Sequence, residues 1–448
     1  MSPIALFWHR RDLRTRDNRG LAAALNSGLP TVGFFCFDRN ILDRLPQCDA
    51  RVGFIHTELD HVRASYTKAG GQLLVFHAAP QEALAQAIEA CREVGHEVQA
   101  IYTNRDYAPY PVRRDEEVAS WASDRGIAFH AFDDHVVLPP EAVLKDDGLP
   151  YTVFTPYSRK WHKVFEGMAE DPLAEETVDM KGRLASGLDH AQAYPSLEDM
   201  GFDPASGDPE GWSAFESKTP QAEVLAHYAD RRDTPSIVGT ARMSLHLRFG
   251  TVSVRELARQ GFQHSEKWLT ELIWREFYQS ILHHFPHSAT DAFRSKYDRV
   301  PWRHDEDHFQ AWCEGRTGYP LVDAGMRELN ATGFMHNRVR MVVASFLCKH
   351  LLLDWRWGER YFAEKLLDFE LASNVGGWQW ASGSGCDAAP YFRVFNPESQ
   401  LKKFDPAGAY VKRWVPEWGT AAYPAPIVEH KMARQRAIDT YKAALTEA

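Results

Sequence analysis

Five short apolar runs alternate with helical patterns in the first 132 residues, and this alternation constrains the fold more than any other feature of the sequence. The runs are PIALFW (3–8), TVGFFCF (31–37), QLLVFH (72–77), VQAIYT (98–103) and IAFHAF (127–132), with helical patterns near 50–68, 81–94 and 112–125. Strands that alternate with helices at this spacing form a parallel sheet covered on both faces. The sequence therefore predicts an α/β N-terminal domain, a doubly wound parallel sheet, over residues 1–132.

The rest of the chain changes character twice. At 448 residues it is too long for one ordinary hydrophobic core. Residues 133–220 contain irregular, acidic and Pro/Gly-rich stretches, which predict an interdomain linker on the surface. From 221 to 448, helical periods follow one another almost without strand signals, and Gly and Pro separate them. We therefore expect an all-α C-terminal domain over 221–448.

The acidic charge of the chain is concentrated in one segment. The formal net charge is −10, which at first argues against a nucleic-acid partner. Residues 166–210 hold twelve Asp or Glu against two Lys or Arg, a local balance of −10, so the remainder of the chain is neutral. Because phosphate contacts require clustered basic side chains rather than a basic protein, a nucleic-acid-binding face stays open.

Simple patterns disfavour several classes of protein. No run of about 18 apolar residues is present and the N-terminus lacks the pattern of a secretory signal, so we expect a cytoplasmic protein without a membrane partner. The six cysteines are widely spread without a CxxC pair. This spacing indicates neither a zinc cluster nor a disulfide framework, and we predict no metal site.

The loops after the first and fourth apolar runs are the first places to look for a ligand, because parallel sheets bind ligands at the carboxyl ends of their strands. These loops span Trp8 to Asn18 and Thr103 to Pro111. Salt bridges that close the end of the sheet explain the charged residues there as well as ligand contacts do. No GxGxxG follows the first strand, so a dinucleotide-binding fingerprint is absent.

The run WLTELIWREFY places four large side chains on one face of a helix, at steps of three, three and four: Trp268, Glu271, Trp274 and Tyr278. A carboxylate between two indoles is costly unless it has a hydrogen-bonding partner or a raised pKa. The alternative is an ion pair between Glu271 and an arginine at the surface.

The segment DFELASNVGGWQW, from Asp368 to Trp380, combines tryptophans, carboxylates, an asparagine and a Gly-Gly step at a density that core packing rarely requires. Gly376 and Gly377 let the backbone approach a flat ligand closely, although an ordinary turn would also need them. Together with WLTELIWREFY, this segment indicates a flat, redox-active ligand.

Two further motifs are typical of anion binding. In GTARMS, hydroxyls and backbone N–H groups that open a helix suit a diphosphate, and an ordinary N-cap is the simpler alternative. In MHNRVRM, Asn337 and Met341 lie four apart on one helical face, with Arg338 and Arg340 directed elsewhere. Arg338 suits phosphates because a guanidinium pairs with them bidentately, and a solvated helix face is the alternative.

From FWHRRDLR at the N-terminus to Phe395-Asn396-Pro397, the chain resembles the photolyase/cryptochrome family. ELIWREFY and NRVRM most resemble its class I cyclobutane pyrimidine dimer photolyases. The resemblance implies a light-driven DNA repair enzyme in which excited reduced FAD gives an electron to a dimer flipped out of damaged DNA, the dimer splits and the electron returns. It implies no obligate protein partner.

The resemblance also assigns residues to the cofactor. It implies a flavin-phosphate clamp at Tyr228 and at the run Thr240, Ala241, Arg242, Met243 and Ser244, with further cofactor contacts from Trp268, Asp368, Glu370 and Asn374. Asp368 resembles the acid on the ribose and adenine side, and Asn374 resembles the residue beside flavin N5.

For the lesion, the resemblance implies that Glu271 hydrogen-bonds the dimer and that Trp274 and Trp380 stack against it. Further residues at the lesion or on the DNA would be Asn337, Met341, Arg275 and Arg338. The family's three-tryptophan electron path is matched by Trp302, Trp355 and Trp378. Indole suits such a path because it is the most easily oxidised aromatic side chain.

Three alternatives remain from the sequence. A (6-4) photolyase needs histidines around NRVRM, and this chain has none at 337 and 341. A signalling cryptochrome often adds a long disordered tail, whereas this chain ends soon after FNPESQ with a helical pattern. A non-flavin adenylyl-binding α/β protein would be colourless when purified.

The family's first domain optionally carries a second, antenna chromophore, whose identity here is unknown. The folate-type antenna site uses a glutamate in the loop after the fourth strand. Pro111 stands there in this chain, which makes a folate antenna doubtful.

Overall fold

The structure is a computed structural model that describes residues 1–177, 179–188, 194–204, 212–215 and 217–446. Part of the acidic segment assigned to the linker therefore lies outside the described residues. The strands are β1 (Ser2–His9), β2 (Thr31–Asp38), β3 (Leu73–Ala78), β4 (His96–Asn104) and β5 (Ala128–Phe132). The helices are α1 (Arg19–Asn26), α2 (Arg39–Leu42), α3 (Ala50–Lys68), α4 (Pro80–Glu93), α5 (Pro109–Ser123), α6 (Phe154–Glu166), α7 (Ala222–Ala226), α8 (Tyr228–Arg231), α9 (Ser244–Phe249), α10 (Val254–His264), α11 (Glu266–His284), α12 (Glu306–Cys313), α13 (Pro320–Thr332), α14 (Asn337–Ser345), α15 (Trp355–Lys365), α16 (Leu371–Ser382), α17 (Pro397–Phe404), α18 (Ala409–Trp414) and α19 (His430–Thr446).

The five strands form one parallel sheet in the order β3-β2-β1-β4-β5, which confirms the predicted doubly wound α/β fold. The central strand β1 pairs Leu6 with Val32 of β2 on one side and with Ile101 of β4 on the other. Every residue of β2 is buried, which explains the continuous apolar run TVGFFCF. The strand order reverses between β1 and β4, where sheets of this kind open a crevice for ligands.

Ion pairs and hydrogen bonds fill the sheet end beside β1 and β4. Arg11 Nη1 donates to Asp106 Oδ1 at 3.0 Å, and Asn104 Nδ2 donates to Asp12 Oδ2 at 2.6 Å and to Asn18 Oδ1 at 2.8 Å. Although burial disfavours the charged form, the Arg11 cation holds the pKa of Asp106 well below its usual range. These contacts confirm the interpretation of the two loops as a salt-bridged closure of the sheet end.

The chain forms two compact units, and neither is one continuous stretch. Unit 1 comprises Met1–Pro139, Phe165–Pro209 and Ser244–Gln260, and unit 2 comprises Pro140–Val164, Glu210–Met243 and Gly261–Ala448. Residues 244–260, which the helical pattern assigned to the C-terminal domain, thus group with the sheet. The domain boundaries at 132 and 220 stay a prediction.

Arg255 gives the physical reason for this grouping. Its side chain is fully buried, and its Nη2 donates to Asp17 Oδ1 at 2.8 Å and to Asp134 Oδ1 at 3.0 Å. A buried guanidinium is retained only where carboxylates pair with it, and both carboxylates belong to unit 1.

Unit 2 is helical, as predicted for the C-terminal region. Helix α16 packs against α11, α14 and α15, and the core beside it contains the buried indoles of Trp312, Trp355 and Trp378. The apolar stretch after α14 continues as a π-helical segment, Phe346–Leu351, and ends where Leu352 adopts a φ of 54°. Among the described residues, no helix combines the length and apolarity needed to cross a bilayer.

Candidate functional site

Helix α11 carries the four side chains that the sequence placed on one helical face. Ser265 caps the helix, its side chain accepting a hydrogen bond from the Trp268 backbone N–H at 3.3 Å. Trp268 is buried, whereas Glu271, Trp274 and Tyr278 are half-buried. The outer part of this face is therefore partly open to solvent, where a ligand can reach it.

Glu271 pairs with an arginine. Arg232, directly after α8, donates from Nη1 to Glu271 Oε1, and the two side chains are 17% and 27% exposed. The alternative of an arginine partner is thus confirmed, although the pair is half-buried rather than fully at the surface. Burial, together with the nearby Glu271 charge, raises the pKa of the Tyr228 hydroxyl.

Trp274 has one ring face covered. The ring of Phe154, at the start of α6, lies parallel to the indole with centroids 3.6 Å apart and planes 7° apart. The Phe154 backbone N–H donates to Asp387 Oδ2 at 3.2 Å, which anchors the start of α6. Trp274 can therefore stack a ligand only on its other face. No feature of the sequence signals this contact.

The Gly-Gly step lies inside α16 rather than in a turn, so the turn interpretation is wrong. A Cβ at Gly376 would lie 2.3 Å from the ring of Tyr278, whereas one at Gly377 would meet nothing within 4 Å. Gly376 is therefore required because α16 approaches α11 closely at this point.

The two acids before α16 are buried and paired with unit 2 arginines. Arg340 Nη2 donates to both oxygens of Asp368, at 2.9 and 3.1 Å. Arg275 Nη2 donates to Glu370 Oε1 at 3.2 Å, and the Arg275 side chain is 10% exposed. A DNA contact by Arg275 therefore requires this pair to open, and its DNA-binding role stays a prediction.

Asn374 bonds to a residue that the sequence did not single out. Its Nδ2 donates to the backbone carbonyl of Glu359 at 3.1 Å and to Glu359 Oε1 at 2.9 Å. Burial raises the pKa of Glu359, although the Asn374 hydrogen bond lowers it in part. The amide Oδ1 of Asn374 thus stays oriented by a carboxyl group on α15.

Helix α14 places Arg338 beside Met341, so the expectation that Arg338 points elsewhere is wrong. Residues three apart are neighbours on a helix, and Arg338 Nη1 lies 3.6 Å from Met341 Sδ. Arg338 Nη2 also donates to Asp233 Oδ1 at 2.9 Å. Asn337, the first residue of α14, is exposed.

A cavity of about 270 Å³ lies along the GTARMS motif, lined by Thr240, Ala241, Arg242 and Met243 among others. Arg242 adopts a φ of 50°, a conformation rare for a residue with a side chain, and strain of this kind clusters at ligand sites. Ser244 begins α9 and belongs to unit 1, and it is not among the described residues that line this cavity.

The tryptophans of the expected electron path differ in burial. Trp355 and Trp378 are each 2% exposed, and Trp302 is half-buried. Trp378 contacts Phe362 with centroids 5.0 Å apart, and Trp302 meets the Tyr441 ring edge-on at 5.7 Å. This order from interior to surface suits the path, but the structure shows no direct ring contact among the three within the described residues. Half-buried Trp380 lies 6.3 Å from the ring of Phe395.

The residues of unit 2 fit a bound FAD. The cavity at Thr240–Met243 offers backbone groups in a strained, irregular segment. His336 is 4% exposed and accepts a hydrogen bond at Nδ1 from the Arg338 backbone N–H at 3.2 Å, so its Nε2 carries the proton. That buried Nε2 has no hydrogen-bond partner within the described residues. A buried donor without a partner is costly, and an acceptor on a cofactor would satisfy it.

Comparison with known proteins decides the family. The model of the DNA photolyase family matches residues 5–177, and that of the FAD binding domain of DNA photolyase matches residues 268–422. A deoxyribodipyrimidine photo-lyase from a Synechococcus species is 37% identical, over 100% of this chain and 99% of the relative. The chain belongs to the DNA photolyase family.

Solved photolyases share the whole fold. A bacterial class III photolyase from Agrobacterium tumefaciens is 32% identical with a TM-score of 0.87, covering 100% of this chain and 98% of its own. An archaeal photolyase from Sulfolobus tokodaii, solved with two FAD molecules, is 32% identical with a TM-score of 0.80. The match covers 98% of this chain and 99% of the archaeal chain. The likeness therefore extends over both units of this photolyase chain.

Several residues of this photolyase chain were not found from the sequence. Four of them contact predicted site residues: Phe154, Arg232, Asp233 and Glu359. Only Arg232 had a usable signal, because it follows Tyr228 at helical spacing and lies over its ring at 5.5 Å. Asp233, Phe154 and Glu359 meet their partners only through the packing of different helices, which no periodic pattern specifies.

Proposed function

We propose that this chain repairs cyclobutane pyrimidine dimers in DNA by a light-driven electron transfer. When bound, reduced FAD absorbs light and supplies the electron that splits the dimer. The observation that carries the proposal is the arrangement on α11, where Phe154 covers one face of the Trp274 indole and Glu271, three residues earlier, is partly exposed. Family membership over the whole length of the chain supports it.

The residues that would hold the cofactor lie in unit 2, apart from Ser244. Thr240, Ala241, Arg242 and Met243 line a cavity that suits a diphosphate, and Tyr228 and Trp268 are buried aromatic groups that would pack against it. Asp368 is held by Arg340 and Glu370 by Arg275, so ion pairs within unit 2 fix the positions of both carboxylates. Asn374 is held by Glu359.

The lesion would be held by stacking and by charge. A dimer must leave the duplex to reach a buried chromophore, and damage lowers the cost of flipping to a few kcal/mol. The face of Trp274 opposite Phe154 and the half-buried ring of Trp380 would offer stacking, Glu271 would offer a hydrogen bond, and Asn337 and Met341 would border the site. Arg338, next to Met341, would meet a phosphate beside the flipped nucleotides.

The sequence and the named relatives favour neither alternative activity. Asn337 and Met341 occupy positions where a (6-4) enzyme needs histidine, and relatives named as dimer photolyases match over nearly the full chain. Trp302, Trp355 and Trp378 would carry electrons from the surface, a role shared with signalling cryptochromes. The proposal includes a cytoplasmic location, damaged DNA as the partner, and no obligate protein partner.

A second chromophore is a separate hypothesis. Pro111 lies in the first turn of α5, and no glutamate stands there, so a folate antenna stays doubtful. The archaeal relative solved with two FAD molecules makes a flavin antenna worth testing. Cofactor extraction and chromatography of the purified protein would identify any second chromophore.

The repair activity has a direct test. Purified protein with reduced flavin is mixed with an oligonucleotide that contains one thymine dimer, and intact thymines are counted after blue light or darkness. We expect restoration in light and none in darkness. The same assay with a (6-4) lesion should show no repair. Restoration of the (6-4) lesion, or failure with the thymine dimer in flavin-loaded protein, contradicts the proposal.

A further inference from the structure

Asp233 lies between two arginines, Arg232 and Arg338. Its Oδ1 accepts hydrogen bonds from Arg338 Nη2 at 2.9 Å and from Arg338 Nε at 3.3 Å. The Nε of Arg232 lies 3.9 Å from the same oxygen. Since Arg232 also pairs with Glu271, alternating charges run from Glu271 to Arg338.

Each nitrogen of the Arg338 guanidinium already makes a contact inside the protein. Two of its nitrogens are bonded to Asp233, and Nη1 faces Met341 Sδ. The ring of Phe404 lies 4.3 Å from the guanidinium carbon and covers one face of the cation. The Arg338 side chain is only 17% exposed, whereas the Asp233 side chain is 42% exposed.

A phosphate that pairs with Arg338 through two parallel N–H groups is best placed on the Nε–Nη2 edge, which Asp233 occupies, because Nη1 on the other edge faces Met341 Sδ. Charge-assisted hydrogen bonds to a guanidinium are strongest when two parallel N–H groups meet one anion. A phosphate that takes this edge must displace Asp233, so the ion pair gained is offset by the ion pair lost. Arg338 therefore adds little to binding unless another interaction accompanies the phosphate.

We propose that Asp233 determines selectivity for damaged DNA by competing with backbone phosphates for Arg338. The inference rests on the proposed function. Undamaged duplex offers only phosphates, which gain little by displacing the carboxylate. A flipped dimer adds stacking on Trp274 of α11, the helix whose Glu271 is joined to Asp233 through Arg232, and this added interaction offsets the loss of the Asp233 pair.

Removal of the Asp233 charge tests the proposal. Dark binding of Asp233→Asn to an undamaged duplex, and to the same duplex with one thymine dimer, is measured from about 50 to 200 mM salt. We expect affinity for undamaged DNA to rise roughly five- to tenfold at the lowest salt. The slope of log K against log salt should steepen by about 0.9, because one more phosphate contact releases one more counterion. Affinity for the dimer should change less, so the preference for damage falls.

Three further variants isolate the contact with Arg338. Asp230→Asn removes a neighbouring exposed charge on α8 without touching Arg338, and should leave both affinities close to wild type. In the double variant Asp233→Asn with Arg338→Ala, the gain for undamaged DNA should disappear. Asp233→Ser should repeat the effect of Asp233→Asn, and matching thermal unfolding midpoints would show that the variants fold alike.

The outcomes separate the two proposals. If Asp233→Asn binds undamaged DNA no better than Asp230→Asn does, the selectivity role is wrong. A large loss of dimer binding by Asp233→Asn would also overturn it, since Asp233 would then orient Arg338 for the lesion. A wild-type chain with no preference for the dimer would contradict the proposed function, whereas the comparison on undamaged DNA tests Asp233 alone.

Discussion

The rings of Phe154 and Trp274 are parallel and in direct contact, with centroids 3.6 Å apart. This contact leaves the indole a single face for a ligand and fixes the tilt of that face. Phe154 is 8% exposed and also meets Phe277 edge-on at 5.8 Å, so its own position is set by packing. The lesion-stacking role inferred for Trp274 therefore depends on a residue 120 positions earlier in the chain.

Phe154→Leu should weaken dark binding of dimer-containing DNA roughly two- to tenfold, because an aromatic pair contributes about 0.5–1.5 kcal/mol that leucine cannot replace. Fluorescence anisotropy with damaged and undamaged duplex measures the effect. Undamaged DNA should bind as before, and Phe154→Tyr, which keeps the ring, should match wild type. The orienting role is wrong if Phe154→Leu binds the dimer normally while Trp274→Ala loses affinity.

Glu271→Ala should separate binding from repair. A hydrogen bond to a charged group contributes about 1.5–3 kcal/mol, so repair per bound dimer should fall roughly tenfold or more. Dark affinity should be unchanged or higher, because Arg232 is released from its ion pair and can meet a phosphate. Single-turnover repair with saturating enzyme measures the first quantity, and anisotropy measures the second.

A control for that comparison lies on the same helix. Glu266, in the first turn of α11, is exposed, and Glu266→Gln should change neither binding nor repair. Equal repair per bound dimer in Glu271→Ala and wild type would remove Glu271 from the catalytic residues.

Lys349 should make stability depend on pH above neutrality. It is 1% exposed, its Nζ donates to the carbonyl of Ser382 at 2.7 Å, and burial lowers its pKa from 10.5 to about 7. The unfolded chain therefore binds this proton up to a higher pH than the folded chain does. Burial of the charged Lys349 therefore lowers the free energy of unfolding fully below about pH 7. The free energy of unfolding rises as the pH increases from about 7 towards 10.5.

Lys349→Met should remove that reduction in the free energy of unfolding. The Ser382 carbonyl keeps a hydrogen bond from the Tyr441 hydroxyl at 2.8 Å, so methionine leaves it satisfied. Near pH 6 the variant should have a larger free energy of unfolding than wild type. Near pH 9 this difference should be smaller by a few kcal/mol. Urea unfolding at both pH values measures the difference, with exposed Lys442→Met as control. If the difference in free energy of unfolding between the variant and wild type does not change with pH, Lys349 does not lose its proton in the folded protein over this range.

Much of unit 1 could be predicted because local pattern determines it. The run TVGFFCF is apolar throughout since β2 is buried on both faces, and the pattern at 50–68 coincides with α3. Helix α1 was not predicted, because eight residues are too few for a clear helical period. The grouping of residues 244–260 with unit 1 was missed for another reason: arginines are ordinarily at the surface, and the burial of Arg255 is decided by carboxylates far away in sequence.

The contacts of the candidate site residues could not be predicted from the sequence. Helical spacing alone placed Trp268, Glu271, Trp274 and Tyr278 on one face. The pairing of Glu271 with Arg232 and of Asn374 with Glu359 depends on how helices pack, which a periodic pattern does not specify. Gly376 shows the same limit: its sequence context is equally typical of a turn, and only the approach of Tyr278 explains it.

Substitution of Trp302 should separate the proposed electron path from the proposed repair site. Trp302 is half-buried and packs edge-on against Tyr441, a contact that phenylalanine can largely keep. Phenylalanine is much harder to oxidise than indole, so Trp302→Phe should slow light-driven reduction of the bound flavin by an external reductant at least tenfold. Absorbance spectra under steady blue light measure this rate.

Repair by chemically pre-reduced Trp302→Phe should stay near the wild-type rate, because the path has no part in splitting the dimer. A packing defect would instead weaken flavin binding and lower both activities together. Trp357→Phe is the matched control, since Trp357 is also half-buried but contacts His304 and Phe309 rather than Tyr441. If photoreduction survives in Trp302→Phe but fails in Trp357→Phe, electrons enter through Trp357. If pre-reduced Trp302→Phe keeps its flavin and loses repair, Trp302 acts at the repair site itself.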